Sequence, residues 1–203
     1  MPRYHHFLLD IGMKIVGISG SLRKASTNTG LLRYAAVVAK EVGVEFEIVD
    51  ISGLPLMNED LEIGGQPPAE VLPFRATIQA ADALIFACPE YNYGPSAALK
   101  NALDWGSRAG NVWARKPAAI AGSGGGFGTG RAQLALRQSF IYLDVHPINK
   151  PEVCIRRYTN PSPFDSNGDV VDSATQTSIR AMFTALVDWT NTVQSNPPAS
   201  INQ

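Results

Sequence analysis

Ile15-Val16-Gly17-Ile18-Ser19-Gly20-Ser21-Leu22-Arg23-Lys24-Ala25-Ser26-Thr27-Asn28 is the stretch on which the fold reading turns. An apolar run ends in a loop of hydroxyls, glycine and one arginine, and a helical pattern begins at Asn28. Leu31, Leu32, Ala35, Ala36 and Val38 then supply an apolar helix face. The segment therefore reads as strand, loop and helix, the opening of a parallel crossover unit.

The same alternation continues outward. The first strand is predicted over 14–19, with further strands over 44–50, 83–88, 118–122 and 145–148. Helices are predicted over 28–40, 68–80, 96–108, 130–142 and 173–194. Ala83-Leu84-Ile85-Phe86-Ala87-Cys88 shows no polar alternation, as expected of a strand covered on both faces. The arrangement predicted is an α/β, three-layer, doubly wound sandwich with a five-stranded parallel sheet of order 2-1-3-4-5. Residues 158–171 carry Asn160-Pro161, Pro163 and Asn167-Gly168 and read as a surface excursion. Residues 1–12 read as an extension ahead of one domain at 13–194, and 195–203 as a polar tail.

Composition narrows the function classes. The 203 residues suit a single domain with a full core, and 45% hydrophobic with 17% charged residues is globular usage. Seventeen Lys+Arg against 18 Asp+Glu leave a formal net charge of −1, with no basic excess for nucleic acid. No basic amphipathic stretch recommends a membrane surface, and Phe7, Leu8, Leu9 and Ile11 form too short a run for a leader or a span. Cys88 and Cys154 form neither a disulfide framework nor a metal cluster. A cytoplasmic protein without a metal site is the expectation. His5 and His6 read as a solvated pair, and His146, in a short apolar strand, as a core or structural residue rather than a catalytic base.

The loop after the first strand is an anion site by chemistry. Helix N-termini present unpaired N–H groups and partial positive charge. Ser19, Ser21, Ser26, Thr27 and Asn28 add neutral donors, and Arg23 can give a charge-assisted fork. A helix cap needs one such residue; five with an arginine suit a terminal phosphate. Two more unusual loops fall on the same sheet edge, where doubly wound folds bind ligands. Pro89-Glu90-Tyr91-Asn92-Tyr93-Gly94-Pro95-Ser96 offers aromatic faces and an amide for a heterocycle rim. Gly122-Ser123-Gly124-Gly125-Gly126-Phe127-Gly128-Thr129-Gly130 offers backbone that can approach a flat ring. Phosphate at one end and a planar ring at the other favour flavin mononucleotide (FMN).

Competing motifs are absent. No lysine follows a glycine as in a nucleoside-triphosphate loop, and the glycines from 122 to 130 never form G-x-G-x-x-G. Neither cysteine opens a C-x5-R loop, and no nucleophilic triad has credible members.

At these residues the sequence resembles the NADPH-dependent FMN reductase family of flavodoxin-like proteins. The likeness rests on Gly20-Ser21-Leu22-Arg23 with Ser26 and Asn28, on Pro89-Glu90-Tyr91-Asn92, and on Leu99-Lys100-Asn101-Ala102-Leu103-Asp104-Trp105. It is similar to plant NADPH:quinone oxidoreductases and bacterial chromate and quinone reductases through Asp50-Ile51-Ser52, Leu54-Pro55-Leu56, Asn111-Val112-Trp113-Ala114 and Ile148-Asn149-Lys150-Pro151. The resemblance covers 13–190.

It implies that Ser21, Arg23, Ser26, Thr27 and Asn28 hold the FMN phosphate. Pro89, Glu90, Tyr91 and Asn92 would line the ribityl chain and ring, with Tyr93 nearby, and Ser123, Gly124, Gly125 and Gly126 would cover the other edge. It further implies NADPH or NADH as hydride donor and a quinone or related acceptor (azo, nitro, metal oxyanion, free flavin). The two would be used in ping-pong order, with no catalytic side chain. Arg108 is a candidate for the NADPH phosphate. A homodimer or homotetramer is implied, with helix 96–108 as the dimer element. The rivals are a flavodoxin-type carrier, which the near-zero charge disfavours, and a flavin-binding redox sensor.

Overall fold

A computed structural model describes residues 12–195; the reading of 1–11 and 196–203 lies outside the described residues. The elements run β1 (Lys14–Ser19), α1 (Thr27–Val42), β2 (Glu45–Val49), α2 (Leu72–Ala80), β3 (Ala83–Ala87), α3 (Ala97–Ser107), β4 (Pro117–Gly124), α4 (Gly130–Leu143), β5 (His146–Pro147), β6 (Val153–Arg156) and α5 (Ser173–Ser195). A short 3₁₀ turn, Glu59–Leu61, lies between β2 and α2.

The sheet is parallel, of order β2-β1-β3-β4-β5, as expected. One strand escaped the sequence reading. β5 pairs only with Pro117 and Ala118, while β6 takes up the same edge farther along, Val153 to Arg156 against Ala121 to Gly124. The edge strand is thus in two pieces. Its second piece, Val-Cys-Ile-Arg, is too short to read as a strand alone, and it exists because β4 extends two residues past the predicted 122.

Period-two alternation divides the core. Val16, Ile18, Leu84, Phe86, Ala118 and Ile120 face α2, α3 and α4. Ile15, Ala83, Ile85, Ala87, Ala119 and Ala121 face α1 and α5. On the first side Phe86 packs against Phe140 (centroids 4.9 Å) and Trp113 (5.9 Å), pairs worth about 0.5–1.5 kcal/mol each beyond their burial. Trp105 is fully buried, and its Nε1 and the Asn101 Nδ2 both donate to the Pro55 carbonyl, at 2.7 and 2.8 Å. This contact ties segment 54–56 to α3. The far end of α3 is closed by Arg75, whose buried guanidinium donates to the carbonyls of Trp105, Gly106, Ala109 and Gly110.

Segment 158–171 is more than a surface excursion. Phe164 and Val170 are buried in the α1/α5 core, and the turn between them rests on α1. Arg33 pairs there with Asp169 and donates to the Asn167 carbonyl. Gly168 lies so close that a Cβ on Gly30 would fall 1.8 Å from its oxygen.

Candidate active site

The three unusual loops leave the carboxyl ends of β1, β3 and β4, which are adjacent in the sheet. They are also cross-tied. Ser96 Oγ donates to the Gly20 carbonyl at 2.6 Å, joining the first loop to the second. Asn28 joins the first to the third: its Nδ2 donates to the Ser123 carbonyl and its Oδ1 accepts from the Ser123 N–H, both at 3.0 Å. Glu90 joins the second to α4, accepting from the N–H groups of Arg131 and Ala132 at 3.2 Å and from Arg131 Nε at 2.7 Å.

The first loop uses some of its hydroxyls in its own structure and leaves one without a partner. Ser26 caps α1, accepting from the Thr29 N–H at 3.2 Å. Ser19 Oγ accepts from Thr29 Oγ1 at 2.9 Å and from the Ser21 N–H at 3.3 Å. Thr27 Oγ1 is buried with no partner, and Arg23 is exposed with no ion pair or hydrogen bond among the described residues. Ser19, Ser21 and Arg23 line a cavity of about 280 Å³ with Asp50 and Ser52. The Ser52 N–H and hydroxyl hold the Asp50 carboxyl below its ordinary range. One amide N–H and the carbonyl oxygen of Asn28 are taken by Ser123, so this side chain fixes the loop.

The second loop closes as a tight turn, with Tyr91 and Gly94 exchanging N–H···O bonds at 3.0 Å. Asn92 (φ 49) and Tyr93 (φ 70) occupy the left-handed region, a strained conformation for non-glycine residues. Tyr91 and Tyr93 are exposed. The Glu90 carboxylate serves the α4 N-terminus and Arg131, where helix N–H groups and a guanidinium stabilise it. Pro89 is buried beneath the turn, its Cδ close to Gly20.

In the third loop Ser123 Oγ is a second buried hydroxyl without a partner. A Cβ built on Gly125 or Gly126 meets nothing within 4 Å, so that backbone edge borders open space, whereas one on Gly124 would strike the Gly128 carbonyl at 2.2 Å. Arg108 is engaged elsewhere: it forks onto Glu62 at 2.6 and 2.8 Å and reaches Glu59 at 3.4 Å. His146 lies half-buried beside Asp144. Cys88 is fully buried, and burial pushes its thiol up to about 12. Among the described residues no group of His, Cys, Asp and Glu is placed to hold a metal ion, and no helix is long and apolar enough to cross a membrane.

Sequence reasoning missed Arg131. The available signal was its position: a cation in the first turn of a helix opposes the dipole and needs a carboxylate beside it.

Residues 13–160, which contain all three loops, match the profile of the NADPH-dependent FMN reductase family. The chain belongs to that family. Among similar reductases, the NADPH:quinone oxidoreductase of Arabidopsis thaliana is 49% identical over 184 residues, covering 90% of this chain and 94% of that one. The NAD(P)H-dependent FMN reductase of Pseudomonas aeruginosa is 49% identical over 179 residues, covering 87% and 95%. The solved flavoenzyme NAD(P)H:(acceptor) oxidoreductase of Paracoccus denitrificans superposes with a TM-score of 0.78 at 31% identity, covering 89% of this chain and 98% of that one. An archaeal flavodoxin, at TM-score 0.60 and 12% identity, shares the fold. This FMN reductase family member is therefore an oxidoreductase on a flavodoxin-like sheet.

Proposed function

We propose that the protein binds FMN at the three cross-tied loops and uses it to move two electrons from NADPH or NADH to a quinone. The observation that carries this reading is the pair of buried, unpartnered hydroxyls, Thr27 Oγ1 and Ser123 Oγ, on the two loops that Asn28 holds together. Buried polar groups are ordinarily satisfied, so both fit sites completed by a ligand. The residues present suit FMN. The α1 N-terminus, Ser21, Arg23 and Thr27 match the donor count of a terminal phosphate. Pro89 to Tyr93 and Ser123 to Gly126 flank the space for a flat ring, and open space beside Gly125 and Gly126 leaves room for it.

FMN, when bound, would supply hydride acceptance from the pyridine nucleotide and two-electron transfer to the acceptor, the two used in ping-pong order. The protein's part is positioning and electrostatics. Backbone N–H groups within 90–92 and 124–126, apart from the Tyr91 N–H already given to the Gly94 carbonyl, would stabilise negative charge added to the ring. No side-chain nucleophile is required.

A second copy of the chain is part of the reading. Leu134, Ile141 and Tyr142 stand exposed along one stripe of α4, an apolar surface suited to association in a dimer or tetramer. α3 instead turns the Lys100–Asp104 ion pair outward. Unpaired Cys88 and Cys154 fit a reducing compartment such as the cytoplasm.

The test is FMN stoichiometry together with NADPH oxidation at 340 nm, with and without benzoquinone. One FMN per chain and quinone-dependent turnover is the expected result. A flavin-free protein, or a yellow protein that consumes no NADPH, would refute the reading.

A further inference from the structure

Arg131 stands at the start of α4, where partial positive charge makes a guanidinium unfavourable. Glu90, its side chain 6% exposed, offsets this by receiving two helix N–H groups and the Arg131 Nε together. Two rings lie against the guanidinium. Its carbon lies 3.7 Å from the centroid of Tyr93 and 4.8 Å from that of Phe127. Tyr93 belongs to the turn after β3 and Phe127 to the glycine loop after β4, so one side chain bridges both lips of the site. Each ring is otherwise in solvent, 68% and 71% exposed.

We infer that Arg131 is a positioning residue for the electron acceptor: it fixes the separation of the Tyr93 and Phe127 rings, which select flat acceptors by size at the mouth. The inference rests on the flavin reading above. A planar guanidinium can stack against aromatic faces while a carboxylate binds its edge; an ammonium cannot reproduce that geometry. Without it, Tyr93 sits on a strained turn and Phe127 on a loop of glycines, each ring largely in solvent. The effect falls on the acceptor rather than on cofactor retention, because Arg131 reaches the two lips and not the phosphate loop.

The experiment compares the wild-type holoenzyme with Arg131→Lys, Arg131→Met, Tyr93→Leu and the Arg131→Met/Tyr93→Leu double variant. Each is assayed with NADPH against benzoquinone and naphthoquinone, after FMN per chain is counted from flavin released on denaturation. A wild-type chain that holds no FMN refutes the flavin reading, an outcome separate from failure of the present inference. With flavin retained, Arg131→Met should raise KM for naphthoquinone about tenfold, roughly the worth of the lost stack. Its kcat should change less than about threefold, and KM for benzoquinone should move less. Tyr93→Leu should act similarly, and the double variant should be no worse than either single one, because both break the same contact. Arg131→Lys should not restore the wild-type KM. Additive effects, rescue by lysine, or an unchanged naphthoquinone KM would overturn the inference. If Arg131→Met loses its flavin, Tyr93→Leu decides: an unchanged ratio of the two quinone KM values overturns it.

Discussion

Asn28 brackets the Ser123 peptide, donating to its carbonyl and accepting from its N–H at 3.0 Å across 95 residues of sequence. The pair fastens the N-terminal end of α1 to the carboxyl end of β4. Asn28→Ala leaves two buried backbone groups unpaired and should cost about 2–4 kcal/mol. Asn28→Asp sets a carboxylate against the Ser123 carbonyl and should cost more. Urea unfolding of the apoprotein reads both, and FMN titration should show weakened binding in each. An unchanged unfolding midpoint for Asn28→Ala would count against the bracket.

Arg23 makes the opposite kind of contribution. It is exposed and engages no other described residue, so Arg23→Ala should shift apoprotein stability by less than about 0.5 kcal/mol. FMN binding should weaken roughly ten- to a hundredfold, the worth of a charge-assisted contact. Riboflavin, which lacks the phosphate, is the control. Equal losses of FMN and riboflavin affinity would remove Arg23 from the phosphate.

Gly30 is required by close approach. Its Cβ would sit 1.8 Å from the Gly168 oxygen, and Gly168 is itself held at φ +81 against Ser26. Gly30→Ala must push the 165–170 turn off α1 and should cost about 1–3 kcal/mol by overpacking. Thermal denaturation measures this, and a melting temperature equal to wild type would refute the contact.

Cys88 gives the alkaline limb of stability a specific source. Burial raises its thiol from 9.0 to about 12, so the folded state keeps a proton that the unfolded chain releases. The stabilisation is complete below pH 9.0 and declines as pH rises toward about 12. Cys88→Ala should flatten that part of the stability profile. Native Cys88 should also resist a thiol reagent at pH 8, whereas half-buried Cys154 should react first. An unchanged alkaline slope in the alanine variant would refute the assignment.

That three unusual loops share one sheet edge was legible in the sequence. Hydroxyl-rich, aromatic and glycine-rich loops each followed an apolar strand, and strand order alone brings such loops to one edge. The roles within them were less legible. Glu90 and Asn28 carry the chemistry of ligand contacts, yet their side chains are occupied by Arg131 and Ser123. Arg108 looked free for a phosphate and is held by Glu62, from a segment with no strong local pattern.

The sequence by itself determined the alternation of strand and helix, the order of the sheet and the crowding of hydroxyls and an arginine into residues 19–28. These follow from local periodicity and local chemistry, which neighbouring residues carry together. Only the tertiary structure decided which polar side chains remain for a ligand, how β6 completes the edge, and that Arg131 spans two loops. Those outcomes depend on pairings such as Asn28 with Ser123 and Glu90 with Arg131, separated by 95 and 41 residues. A buried polar group takes whichever partner the fold presents, and that partner is set by packing rather than by the residues beside it.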